Sequence, residues 1–194
     1  MLGGMATPDE SEELPPAAVE AMRQQLLALA QASDLAVPEL RVDEPRRQER
    51  LPTVQKGVVV VPRLLVAAGR ARQLWYLAAC LGRLSSPVPR QRQRIGWLLF
   101  ALAGLAYVAL LLVARQVSIV WLAIALLYPL AFWTARWERR AMEDAGRPIL
   151  AAAGHDPAAI AREAFGDDPE PTAWQHLIST EPTPRERIAA ASRP

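Results

Sequence analysis

The sequence predicts a mainly α chain with a small β element (α+β) and a two-helix transmembrane hairpin inserted into it. Three observations carry this expectation. Apolar residues recur at three- and four-residue spacing over much of the 194 residues, as helix faces require. One β-branched run, Val58-Val59-Val60-Val61, has the character of a strand. Residues 95–133 carry a single charge, Arg115, in an otherwise apolar stretch too long for an ordinary core helix.

The N-terminal residues 1–16 are acidic and rich in small residues and read as disordered. No basic segment flanks an apolar core there, so the stretch does not resemble a signal peptide. Pro15 and Pro16 precede a helix over 17–32, in which Val19, Met22, Leu26, Leu29 and Ala30 share one face. Residues 35–42 alternate loosely as a short strand around Pro38, and 43–50 read as an exposed charged turn. The stretch 53–61 then ends in Gly57 and the four valines, and Pro62 closes the strand because it has no amide hydrogen to offer. Residues 63–84 return to helical spacing, with Gly69 as a break before a longer helix over about 70–84.

The apolar run divides at Arg115-Gln116 into 95–114 and 117–135. At 1.5 Å per residue each half is roughly 30 Å long, which matches the bilayer core. Arg90, Arg92 and Arg94 precede the hairpin and Arg136, Arg139 and Arg140 follow it. By the positive-inside rule this predicts a multi-pass inner-membrane protein with both termini cytoplasmic and the lipid bilayer as a partner. Trp97 and Trp133 fall at the same level, Pro129 offers a kink, and Gly96 and Gly104 permit close helix contact. After the hairpin, residues 135–153 form an amphipathic helix interrupted at Gly146-Arg147-Pro148, followed by short helices to the end.

Composition narrows the chemistry. One cysteine excludes a disulfide framework and a Cys-rich zinc site, and two histidines leave little imidazole. Lys56 is the one lysine among 22 basic residues, yet the net charge is only +2, with acids interleaved. No nucleic-acid motif appears, and no nucleic-acid partner is expected.

Several segments, in order, resemble the HtpX-like membrane zinc metallopeptidases, a group that includes the CAAX prenyl-protein proteases and the Oma-type quality-control proteases. Val37-Pro38-Glu39-Leu40-Arg41-Val42 and Gly57-Val58-Val59-Val60-Val61 stand where that family has its early strands. Leu77-Ala78-Ala79-Cys80-Leu81-Gly82-Arg83-Leu84 resembles the active-site helix Leu-Ala-His-Glu-Leu-Gly-His-Leu, agreeing at five of eight positions. Ala153-Gly154-His155-Asp156-Pro157 is similar to an Ala-Gly-Tyr-Asp-Pro step. The stretch from Ser179 to Ile188 is similar to a Ser-Thr-His-Pro-x-x-x-x-Arg-Ile block, with Glu181 in place of the histidine. The resemblance implies a zincin-like scaffold split by the hairpin into 17–89 and 136–194.

The positions that differ are those that carry the chemistry. In H-E-x-x-H two histidines four apart bind zinc and the glutamate activates water. Here Ala79 has no donor, Cys80 stands at the general-base position and Arg83 is a permanent cation. The resemblance places the family's third ligand at Glu138, within Trp137-Glu138-Arg139-Arg140-Ala141-Met142, or at Glu143 in a second register. Read on its own, Glu138 is a solvated carboxylate pairing with Arg139 or Arg140. Three functions follow as expectations. One is a catalytically inactive pseudopeptidase without a cofactor, holding a protein or peptide partner along Val58, Val59, Val60 and Val61 and serving membrane-protein quality control. Another is an active zinc metalloendopeptidase with unconventional ligands such as Cys80, Glu138 and His176. The third is a cysteine enzyme in which Arg83 lowers the Cys80 pKa. His155 reads as a cap or surface residue.

Overall fold

A computed structural model describes residues 15–43, 51–114 and 118–193. The expectations for the N-terminal segment before Pro15, for most of the charged turn and for the hairpin tip at Arg115-Gln116 lie outside these residues. The side chains of residues 110–126 also lie outside the description. The described chain is mainly helical with one three-stranded sheet.

Helix α1 (Pro16–Ala32) starts with proline at its first position, where the missing amide hydrogen costs nothing. It buries Met22, Leu26, Leu29 and Ala30, the face that its spacing specifies. Strand β1 (Leu40–Val42) follows. The stretch after Pro52 folds back on itself: β2 (Thr53–Gln55) and β3 (Val58–Val61) are joined by Lys56 and Gly57, with φ of 51° and 87°. Positive φ at both turn positions gives the backbone twist that suits a two-residue hairpin. The sheet order is β1-β3-β2, so β3 is central, parallel to β1 and antiparallel to β2.

A short helix α2 (Arg63–Val66) leads through Gly69 into α3 (Arg70–Ser85). The Gln73 side-chain amide of α3 donates to the carbonyls of Leu65, Val66 and Ala68, satisfying the end of α2. Every residue of α3 from Gln73 to Gly82 is buried, so α3 is the axis of the domain. Around it pack α1, the sheet, α5 and α6, and the core includes Leu74, Trp75, Leu77, Cys80, Leu81, Leu150 and Phe165.

Helices α4 (Pro87–Ala114) and α5 (Ser118–Ala152) form an antiparallel pair. Arg92 straps them together, its guanidinium bonding the Trp137 carbonyl at 3.2 Å and lying 5.1 Å from the Trp137 ring centre. Gly96 meets Thr134, where a Cβ would stand 3.1 Å from the threonine Cβ. The expected membrane-spanning hairpin, and with it the multi-pass inner-membrane location with both termini cytoplasmic, is corrected here. Among the described residues no helix is long and apolar enough to cross a membrane. The first turns of α4 carry Arg90, Arg92 and Arg94. Helix α5 turns polar at Arg136 and continues into the domain core as far as Ala152.

The expected interruption at Gly146-Arg147-Pro148 is also absent, since α5 runs through it. Gly146 is there for contact. A Cβ on it would lie 2.7 Å from the Ala79 nitrogen, and one on Gly82 would lie 2.6 Å from the Ala145 carbonyl carbon. Helices α3 and α5 therefore cross backbone to backbone.

The chain then turns through Gly154 (φ 78°) into α6 (Pro157–Phe165), capped by Asp156, which accepts the Ala158 amide. Helices α7 (Ala173–Ile178) and α8 (Pro184–Ala191) each begin with a reciprocal capping box, Thr172 with Gln175 and Thr183 with Glu186.

Candidate functional site

The close crossing of α3 and α5 brings together positions that the sequence separates widely. Arg83 of α3 sits one residue beyond Gly82, and Glu138 of α5 lies two turns before Gly146. Their side chains meet: Arg83 Nη1 is 2.5 Å from Glu138 Oε1, with 21% and 16% of the two side chains exposed. The geometry is that of an ion pair with the N–H off the line of contact, because Oε1 closes no aligned hydrogen bond. Arg83 also donates to Gln93 Oε1 at 3.1 Å and reaches Met142 Sδ at 3.6 Å. Glu138 is thus neither solvated nor paired with its sequence neighbours. Arg139 donates to the Pro52 carbonyl and Arg140 pairs with Glu186.

Glu143, the alternative register, has a different partner. It is buried against Arg187 at 2.9 Å, and Arg187 also reaches Glu181 at 3.4 Å. The Arg187 guanidinium lies 4.5 Å from the Phe165 ring centre and 5.6 Å from that of Tyr76, so aromatic faces complete its surroundings. Burial pushes the Glu143 carboxyl up against the lowering effect of Arg187. Burial likewise pushes the Tyr76 hydroxyl up to about 12. This cluster ties α3, α5, α6 and α8 together.

Ala79 and Cys80 occupy the interior of the crossing. Ala79 is buried where its backbone nitrogen faces Gly146. Cys80 is fully buried, and burial pushes its thiol up to about 12 although Arg139 and Arg83 act in the opposite direction. The expectation that Arg83 activates this cysteine is therefore corrected, because desolvation of the thiolate outweighs the nearby charges. The residues to which the resemblance would assign zinc, Ala79, Arg83 and Glu138, do not fit the metal: one has no donor, one is a cation, and the carboxylate is already neutralised by that cation. The scattered set of Cys80, Glu138 and His176 is not assembled either. His176 lies beside Arg136 and Glu186, and among the described residues no three His, Cys, Asp or Glu side chains converge to hold a metal ion.

Beside the ion pair a cavity of about 280 Å³ opens between α4 and α5, lined by Gln93, Gly96, Trp97, Phe100, Thr134 and Glu138. Strand β2 starts close by, since Arg139 next to Glu138 holds the Pro52 carbonyl at 3.2 Å. The expected binding strand is a different matter. Val58, Val59, Val60 and Val61 lie between β1 and β2 with both edges paired, so no segment can add to them. The outer strand beside α3 is β2. Val59 donates its amide to Glu39 on the β1 side at 2.8 Å, and Val54 is its cross-strand partner. Alternation in an antiparallel ladder then turns the Val54 N–H and C=O away from β3, toward the outer edge.

Ala79, Cys80, Arg83 and Glu138 can be singled out from the sequence, whereas Gln93, Met142 and the partnership of Arg83 with Glu138 cannot. Their only local signal was Gly82 and Gly146, small residues that allow two helices to touch. Comparisons with known protein families, with curated proteins and with solved structures find no match for this chain.

Proposed function

We propose that the chain is a metallopeptidase-like scaffold without catalysis, which holds an extended segment of a protein partner rather than cutting it. The observation that carries this reading is the Arg83–Glu138 pair. At two of the three positions where the resemblance puts zinc ligands, Arg83 and Glu138, stand a cation and its counter-ion, and a guanidinium neutralises the carboxylate that a metal would otherwise use. Members of the family that the chain resembles lay substrate along a strand edge beside the active-site helix. Strand addition requires main-chain groups at an edge and side-chain pockets, and no catalytic residue. The Val54 edge and the neighbouring cavity supply both. A role in membrane-protein quality control belongs to the same proposal.

The test uses the full chain. Val54→Pro removes an outward amide and leaves the Val59 bond to Glu39 in place, so crosslinked partner recovery is expected to fall while melting is unchanged. Val59→Pro, in contrast, removes an internal ladder bond and lowers stability. Equal partner recovery with Val54→Pro and with the parent overturns strand capture. Near one zinc per chain, lost on Glu138→Ala, overturns the non-catalytic reading.

A further inference from the structure

A second feature lies at the start of α4. A groove of about 560 Å³ is lined by Leu84, Ser85, Ser86, Pro87, Arg90, Gln91 and Arg94, with no carboxylate among them. Arg90 is exposed and donates only to the Leu84 carbonyl at 3.2 Å. Arg94 is exposed and forms no ion pair among the described residues. Two cations thus flank hydroxyl and amide groups in a groove without a counter-ion. This is a setting for an oxyanion.

The same helix face continues as hydrocarbon. Positions 90, 94 and 98 are four apart, so Arg90, Arg94 and Leu98 stack on one face of α4. Beyond them Trp97, Leu98, Leu102, Leu105 and Val108 are 51% to 69% exposed. At 3.6 residues per turn, these residues together with Ile95 and Leu99 span about 200° of the helix circumference. A partner helix needs a stripe roughly 100° wide. An arc twice that width suits a solvent-like apolar medium better than one protein surface. Trp97 sits at the boundary between the charged and apolar parts, the position that indole favours at a lipid interface.

We propose that this face binds an anionic amphiphile, with the oxyanion of a lipid headgroup held by Arg90 and Arg94 and its acyl chain lying along Leu98, Leu102 and Leu105. Leu98 to Val108 offers about 15 Å of apolar rise beyond the arginines. The contact engages one side of the hairpin and requires no crossing of a bilayer. The exposed apolar surface and the unopposed arginines, separate puzzles on their own, have one explanation in a ligand with both characters.

The test is flotation of the full chain with vesicles of phosphatidylcholine alone and of phosphatidylcholine with phosphatidylglycerol. Vesicles containing the anionic lipid are expected to bind more tightly. Arg90→Gln with Arg94→Gln is expected to weaken that binding about thirtyfold, the effect of two cations near an anionic surface. Leu98→Gln with Leu105→Gln is expected to abolish binding to both vesicle types, with circular dichroism and melting unchanged. Three results overturn the proposal. One is anionic-vesicle binding that ignores both arginines. Another is calorimetric binding of inorganic phosphate with the same arginine dependence and no vesicle binding, which marks a site for free oxyanion. The last is self-association lost in the leucine variant without any vesicle binding, which assigns the face to a second copy.

Discussion

Arg83 reaches across the α3–α5 crossing to Glu138, Nη1 to Oε1 at 2.5 Å, with 21% and 16% of the two side chains exposed. A guanidinium and a divalent cation answer the same need of a carboxylate turned away from water, but only the metal can polarise a bound water for attack. The pair therefore bridges the two helices with a cation that cannot activate water.

The bridge is expected to contribute to stability as a coupled pair. Arg83→Met or Glu138→Leu alone should cost about 1–3 kcal/mol, because each leaves a largely buried charge without its partner. The double variant should lose clearly less than the sum of the two. Urea unfolding of the four proteins measures the difference, and strict additivity would show that the pair does not hold the crossing.

The crossing should tolerate no added methyl group. Gly82→Ala and Gly146→Ala place a Cβ within 2.6–2.7 Å of the facing backbone and should each cost more than about 2 kcal/mol. Gly104→Ala, with no described atom within 4 Å of the added carbon, should be neutral or gain up to about 1 kcal/mol from helix propensity. Ala79→His belongs with the first group. Rebuilding H-E-x-x-H from Ala79, Cys80 and Arg83 should accordingly yield a less stable protein without stoichiometric zinc. Thermal melts and metal analysis read both outcomes.

Cys80 should be silent toward thiol reagents in the folded protein at neutral pH, since its thiol is pushed up to about 12 and its sulfur is out of reach of solvent. Denaturant should release one reactive thiol per chain. Rapid labelling under native conditions would contradict the packing of α3.

Glu186 supplies an acid-sensitive contribution. Burial pushes its carboxyl up, but hydrogen bonds from Arg140 and the Thr183 amide, with the charge of Arg140, outweigh burial and hold it below the usual glutamate range. A lowered folded-state pKa stabilises above the unfolded pKa of about 4.3, and that stability is lost as pH falls through the folded value. Glu186→Gln should flatten the acid side of the stability profile below about pH 4.5. At neutral pH it should cost about 1 kcal/mol through the lost charge pairing with Arg140, since glutamine, like Gln175 in α7, still completes the capping box. Urea midpoints between pH 3 and 7 test both effects.

Much of the helical framework could be read from periodicity, because helix faces repeat within a few residues. The buried stripe of α1 and the separation of α2 from α3 at Gly69 are of this kind. What escaped depends on contacts distant in sequence. The β2–β3 hairpin hides in a uniformly β-branched stretch, where only the short Lys56-Gly57 step marks the reversal. Gly146 and Pro148 suggest a break when read locally, yet a glycine that a second helix must touch is retained inside an unbroken helix. Glu138 stands next to two arginines and joins neither, because both are drawn to carbonyl or carboxylate groups elsewhere. The apolar run in α4 and α5 reads locally as a hairpin that ends near Ala135, but local pattern does not register that α5 continues unbroken from it into the domain core.

Helix α5 is one rod of 35 residues, about 52 Å long. Its tightest attachment is at Gly146, where backbone meets backbone, and such a contact acts as a pivot. Pro129 lies about 26 Å from that pivot and Glu138 about 12 Å from it on the same arm. Between Pro129 and the pivot, Trp137 is strapped to Arg92 of α4, Arg139 to the Pro52 carbonyl and Arg140 to Glu186, so Glu138 sits in a stretch of the rod braced on several sides.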